Sequence, residues 1–196
     1  MVKARLAGIK SYTSTDGVPP APLLKMAKFG VVLDQWMADL NLDATALQCW
    51  DTLQHNYGIN VCTLMSMMSE RLMPSACEVD ITGTLSMVAL QLASGKPSAL
   101  VDWNNNYAGN PDKCVLFHCG NWAKSFYGSC SMAYADILAT TLGPENTYGA
   151  LNGRVPAGPM SYARITTDDR HGVIRAYVGD AHFTDDPLDT LSLIHI

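Results

Sequence analysis

The stretch PSACEVDITGTLSMVALQLASGKPSALVDW, Pro74 to Trp103, constrains the fold more than any other part of the chain. It opens with a short apolar strand after a proline and closes with a second apolar run. Between them Leu85, Val88, Ala89 and Leu92 recur at helical spacing. Asp80 or Thr82 can cap that helix, and Gly95 followed by Pro97 ends it. The helix is apolar on most sides, which predicts that it packs between layers. Upstream, Thr45 to Trp50 reads as a strand running into a helix that stops near Gly58, and a further helix covers Val61 to Arg71. Strand, helix, strand, helix, strand is the pattern of a parallel sheet with crossover helices.

Such sheets bind ligands outside the carboxyl ends of their strands. Gln48, Trp50, Glu78 and Asp102 all fall at or near such ends. Glu78 and Asp80, two apart, point to one side of an extended strand. Asp80 stands at the start of the next helix, where a carboxylate caps free N–H groups, so it is expected to cap rather than to bind a ligand.

Outside this region the pattern is weaker. The first residues show little periodicity, and DGVPPAP is a loop signal. Leu23 to Phe29 reads as a short helix ended by Gly30, with VVLD a buried strand. Beyond Tyr107 the segments CVLFHCG, SYARITTDD and GVIRAYVGDAHF are β-rich, and Ser131 to Leu142 offers one more helix. A domain change is expected between residues 96 and 110. The expected fold class is α/β: a partial Rossmann-like parallel sheet with crossover helices, then a β-rich, partly barrel-like C-terminal domain.

Composition narrows the function. The 196 residues carry 13 basic and 18 acidic side chains, a net charge of −5. There is no basic run of the kind that tracks phosphates, so nucleic acid is not an expected partner. Hydrophobic residues make up 48% and no apolar stretch is long enough to span a bilayer, so the expectation is a globular cytoplasmic protein without a membrane partner. Cys49, Cys62, Cys77, Cys114, Cys119 and Cys130 mostly sit in apolar runs, and no pair has C-x2-C spacing. They read as reduced core thiols.

Glu78, Asp80, Asp102, His118 and His182 form a set of possible ligands from several segments, and carboxylates with imidazole suit Mn, Mg, Fe or Co. The run from Pro74 to Tyr107, followed by DKCVLFHCGN, resembles the catalytic region of the L-fucose and L-arabinose isomerase superfamily. The resemblance extends with decreasing strength from about Ala44 to Phe183. It implies a divalent metal, most often Mn2+ with Mg2+, Co2+ or Fe2+ as alternatives, held by Glu78 and Asp102 and completed by His118 and His182. It implies that Glu78 and Asp102 are also the catalytic acid/base pair. Gln48, His118, Asn121 and Lys124 are expected to bind sugar hydroxyls, with Trp103 or Trp122 covering an apolar sugar face.

Members of that superfamily are longer, so the chain is expected to be a fragment. Residues 1–100 would be part of the second α/β domain, 101–190 part of the C-terminal domain, and 191–196, LSLIHI, a non-native tail. Residues 1–22 are expected to pack poorly. The full-length protein would be a hexamer-type homo-oligomer acting on a monosaccharide. The implied reaction is aldose–ketose isomerisation of a fucose- or arabinose-type sugar through a cis-enediolate, with the isolated fragment inactive or nearly so. An inactive sugar-binding fragment, or a metal-dependent aldolase or hydrolase, would use the same ligands.

Overall fold

A computed structural model describes residues 1–188. Helices α1 (Val2–Tyr12) and α2 (Pro20–Asp39) pack on one another. They are followed by β1 (Thr45–Ala46), α3 (Thr52–Tyr57), α4 (Cys62–Glu70), β2 (Ser75–Ala76) and α5 (Ile81–Ser94). The second half holds β3 (Asp102–Asn106), β4 (Cys114–Phe117), β5 (Cys130–Tyr134), α6 (Asp136–Leu142), β6 (Tyr148–Gly153), β7 (Gly158–Asp168) and β8 (Val173–Phe183).

The strands form four separate pairs. β1 and β2 run parallel, with Thr45 opposite Ser75, while β3–β4, β5–β6 and β7–β8 are antiparallel. One core joins both halves of the chain. Met26, Leu33, Leu64, Met65 and Met68 from α2 and α4 share it with Met132 and Leu151 from β5 and β6.

Several sequence expectations change. The parallel sheet shrinks to the two-residue pair β1–β2, prolonged by the bonds from Leu47 N–H to the Ala76 carbonyl (2.9 Å) and from Val79 N–H to the Leu47 carbonyl (3.2 Å). Neither a Rossmann-like sheet nor a barrel is built among the described residues. Asp102 does not end a strand; it begins β3, opposite Phe117 of β4. VVLD is helical, because α2 runs on through Gly30. That glycine is a site of close approach rather than a stop: a Cβ there would lie 2.6 Å from Arg5 Nε and 3.1 Å from Leu64 Cδ2. The stretch from Ser131 divides into β5 and α6.

The N-terminal segment is also packed, contrary to expectation. Ile9 is fully buried, and Arg5 of α1 donates to Asp34 Oδ1 (2.8 Å) and to the Gly30 carbonyl (3.2 Å) of α2. Residues 191–196 lie outside the described residues. α5 has its expected caps but not its expected burial. Asp80 accepts from the Gly83 N–H at 2.7 Å and Gly95 closes the helix in the left-handed conformation, yet Ile81, Leu85 and Leu92 are exposed. Its covered side packs on the β1–β2 pair and on β7, whose Ile165 N–H donates to Ser86 Oγ at 2.8 Å.

Candidate active site

The β1–β2 pair and the β-rich half enclose a cavity of about 1200 Å³. Glu78, Asp102, His118 and His182 all line it, from four separate segments. Glu78 lies just past β2, Asp102 opens β3, His118 follows β4 and His182 sits near the end of β8. Glu78, Asp102 and His182 are exposed on the cavity wall, while His118 is half-buried. Trp50, Trp103 and Trp122 also line the space. A second cavity, of about 410 Å³ between α1 and α2, holds none of the candidate residues.

Glu78 is held in an unusual backbone state. Its φ is +61° and that of Val79 is +55°, two consecutive left-handed residues that carry side chains. Each such residue costs about 1–3 kcal/mol, strain that concentrates at functional sites. The turn delivers the carboxylate to the cavity, where Trp50 Nε1 donates to Glu78 Oε1 at 3.4 Å. Asp80, immediately after it, faces away. It caps α5 and pairs with Arg164 of β7, and it does not line the cavity. Partial burial pushes its pKa up, but the bonds from Arg164 and the Gly83 N–H outweigh this and hold it below the usual carboxylate value.

His118 has one occupied and one idle nitrogen. Nδ1 lies 2.9 Å from the Cys119 N–H and 3.3 Å from Cys119 Sγ, and buried Nε2 has no partner. A bare Nδ1 accepts from the backbone; a protonated Nδ1 donates to the sulfur and leaves Nε2 with a free lone pair, the form a metal ligand needs. Burial lowers its pKa, but the hydrogen bond and charge of Cys119, with the charge of Asp102, prevail and raise it to about 9, so a metal taken at Nε2 would have to displace a proton from the ring.

Three expected sugar contacts are not on the cavity. Gln48 and Lys124 are exposed elsewhere, Lys124 lying over the Tyr12 ring. Asn121 is buried, and neither end of its amide has a partner. The chain instead brings Tyr107, Lys113, Arg154, Asp180 and Asp186 to the wall, none of them marked by local sequence. Lys113 pairs with Asp186 at 2.7 Å, and Arg154 donates to the carbonyls of Thr184 (2.9 Å) and Asp186 (2.6 Å), closing one end of the cavity.

Comparison with known proteins shows what the chain is similar to. The family model for the C-terminal domain of L-fucose isomerase matches residues 116–196. Sulfoquinovose isomerase of Alkalicoccus urumqiensis is 35% identical over 106 residues, 54% of this chain and 24% of that protein. Sulfoquinovose isomerase of Priestia megaterium (strain ATCC 12872 / QMB1551) is 31% identical over 144 residues, 72% of this chain and 31% of that protein. That of Clostridium sp. (strain MSTE9) is 28% identical over 158 residues, 74% and 32% of the two lengths. The chain is L-fucose isomerase-like. It spans about a quarter to a third of the length of these relatives.

In this fucose isomerase-like chain the donor types suit a hard divalent cation: two carboxylates and an imidazole nitrogen without a partner around one cavity. They surround the space rather than converge on a point. Among the described residues, the one group of three ligand atoms lying within 4.8 Å of one another is Cys49, Cys77 and Cys119. All six cysteines are free. No described helix is long and apolar enough to cross a membrane.

Proposed function

We propose that the cavity is the site of an aldose–ketose isomerase, in which Glu78 and Asp102 move protons between C1 and C2 of an open-chain sugar. The observation that carries this reading is the meeting of Glu78, Asp102, His118 and His182 on one cavity wall in an L-fucose isomerase-like chain. The hydrogen on C2 of an aldose is very weakly acidic, so one carboxylate acts as base while the other faces the carbon that receives the proton. A divalent metal, Mn2+ in the first instance, would be held by Glu78 and Asp102 with His118 and His182. When bound it supplies Lewis-acid polarisation of the sugar carbonyl and stabilises enediolate charge. The tryptophans Trp50 and Trp103, each more than half exposed on the wall, offer apolar faces to a sugar ring or chain.

The substrate is a monosaccharide, and the relatives' names put sulfoquinovose beside fucose- and arabinose-type sugars. Arg154 favours the sulfonated sugar as first choice. Its described hydrogen bonds go to carbonyls, and its charge, which also acts on Asp186, makes that end of the cavity the place for an anionic group. The whole protein, in this reading, is a cytoplasmic homo-oligomer whose remaining length closes the cavity. Residues 1–100 belong to its middle α/β domain and 101–190 to its C-terminal domain. This chain alone then binds metal weakly and turns over sugar poorly, because a proton-transfer site needs water excluded and the sugar gripped from several sides.

The test is a panel of sulfoquinovose, L-fucose, L-arabinose and their ketoses with Mn2+, scored for interconversion. Conversion of one sugar pair that is abolished in both Glu78→Gln and Asp102→Asn supports the assignment. Conversion that survives both substitutions refutes it.

A further inference from the structure

The largest gathering of ligating atoms in the described chain supplies none of the ligands or bases of the isomerase reading. Cys49 follows β1, Cys77 follows β2, Cys119 follows β4, and Cys62 is the first residue of α4. Their sulfurs gather beside the cavity, which Cys49 and Cys119 line. Cys119 Sγ lies 3.2 Å from Cys62 Sγ and 3.5 Å from Cys77 Sγ, and the Cys49, Cys77 and Cys119 sulfurs are all within 4.8 Å of one another. Met65 Sδ adds a thioether 3.8 Å from Cys77 Sγ. Cys49, Cys62 and Cys77 are buried, while Cys49 and Cys119 also line the cavity, which gives the cluster a route to solvent.

Disulfides are not the purpose of this arrangement, since a bonded pair sits at about 2.05 Å and one sulfur here has several close neighbours. Ordinary core thiols pack against carbon. These pack against sulfur. A tetrahedral thiolate site with metal–sulfur bonds of about 2.3 Å has sulfur–sulfur edges of roughly 3.8 Å; the contacts of Cys119 with Cys62 and Cys77 are a little shorter, Cys49, Cys77 and Cys119 lie within 4.8 Å of one another, and Cys62 joins that group through Cys119. Sulfur donors select thiophilic cations over the hard ions that the carboxylates above would hold. Cys62, at the N-terminus of α4, sits where helix N–H groups favour a thiolate.

We propose that Cys49, Cys62, Cys77 and Cys119 form a binding site for a thiophilic d10 cation of the Zn2+ class, separate from the carboxylate site. Binding moves no electrons between metal and protein: each ligating thiol releases its proton to solvent and gives a sulfur lone pair to the cation. Cys62 exchanges its contact with Asn60 Oδ1 (3.0 Å) for the cation. The site ties together four segments that are distant in sequence. Cys77 directly precedes Glu78 and Cys119 directly follows His118, so a cation here fixes the backbone under both. The proposal stands whether or not the cavity isomerises sugars.

The test uses the whole chain, reduced and treated with chelator, and Cd2+ as probe. The expected result is an ultraviolet thiolate-to-cadmium charge-transfer band that saturates at one equivalent, is removed by competing Zn2+ and is untouched by Mn2+. The band should disappear in Cys77→Ser/Cys119→Ser and persist in full in Glu78→Gln/Asp102→Asn. Because the first double variant alters the core, Cys114→Ser/Cys130→Ser serves as the second arm; it leaves the four proposed ligands intact and should keep the whole band. Absence of a band in the reduced native chain, its loss in Cys114→Ser/Cys130→Ser, or its displacement by Mn2+ would overturn the proposal.

Discussion

Glu78 and Asp80 show how two residues in one short motif take opposite tasks. Glu78 sits in a left-handed turn that a side chain disfavours, whereas Asp80 satisfies a helix end and an arginine. Glu78→Gly should therefore raise stability by a few tenths to about 1 kcal/mol in a denaturant titration while removing a proposed ligand. A loss of stability instead would mean that the turn is not strained. Asp80→Ala should do the reverse, costing about 1 kcal/mol for the lost cap and leaving Mn2+ affinity in place. The same residue sets a pH dependence. Its folded pKa is depressed, so its contribution to stability is present above the ordinary aspartate value and is lost as pH falls through the lower folded value. Asp80→Ala should accordingly flatten the acid side of the stability profile below about pH 4.

At the scale of elements, what the sequence could announce was local. The caps of α5, the left-handed end of α3 at Gly58 and the span of α4 all follow from residues within one turn. Gly30 misled because a glycine that admits Arg5 and Leu64 looks, in sequence, like one that ends a helix. Gly30→Ala separates these meanings: overpacking against Arg5 should cost about 1–3 kcal/mol, whereas a mere helix-interior glycine would become more stable. Gly120 is more demanding still. Its φ is +82° and a Cβ would fall 2.2 Å from the Leu151 carbonyl oxygen, so Gly120→Ala should displace β6 from the turn beside His118 and Cys119 and prevent a cooperative unfolding transition. The acids and histidines of the cavity were legible as residue types in a family-like motif. Lys113, Arg154, Asp180 and Asp186 were not: Lys113, Arg154 and Asp186 lie outside the strands and meet through tertiary contacts, Lys113 with Asp186 and Arg154 with the Asp186 carbonyl, that leave no periodic trace near any of them.

At the scale of the whole molecule, the described residues leave apolar surface uncovered. Ile174 and Val178 of β8 are each 76% exposed, and Leu92 of α5 is 78% exposed. Strand β8 pairs only with β7 among the described residues, so one edge keeps free backbone groups. Such an edge invites pairing with another chain, so the chain should show concentration-dependent association in sedimentation velocity that Ile174→Lys/Val178→Lys reduces. The central claim concerns the cavity itself, and it is that Glu78 and Asp102 handle a carbon-bound proton together. It is tested most directly by following deuterium uptake from D2O at C1 and C2 of the sugar by NMR, a readout that needs only proton abstraction and return. With Mn2+ present, the native chain should exchange hydrogen at one carbon of the accepted sugar, slowly but above background, and Glu78→Gln and Asp102→Asn should each reduce that exchange to background. Exchange that proceeds undiminished in both variants would contradict the account.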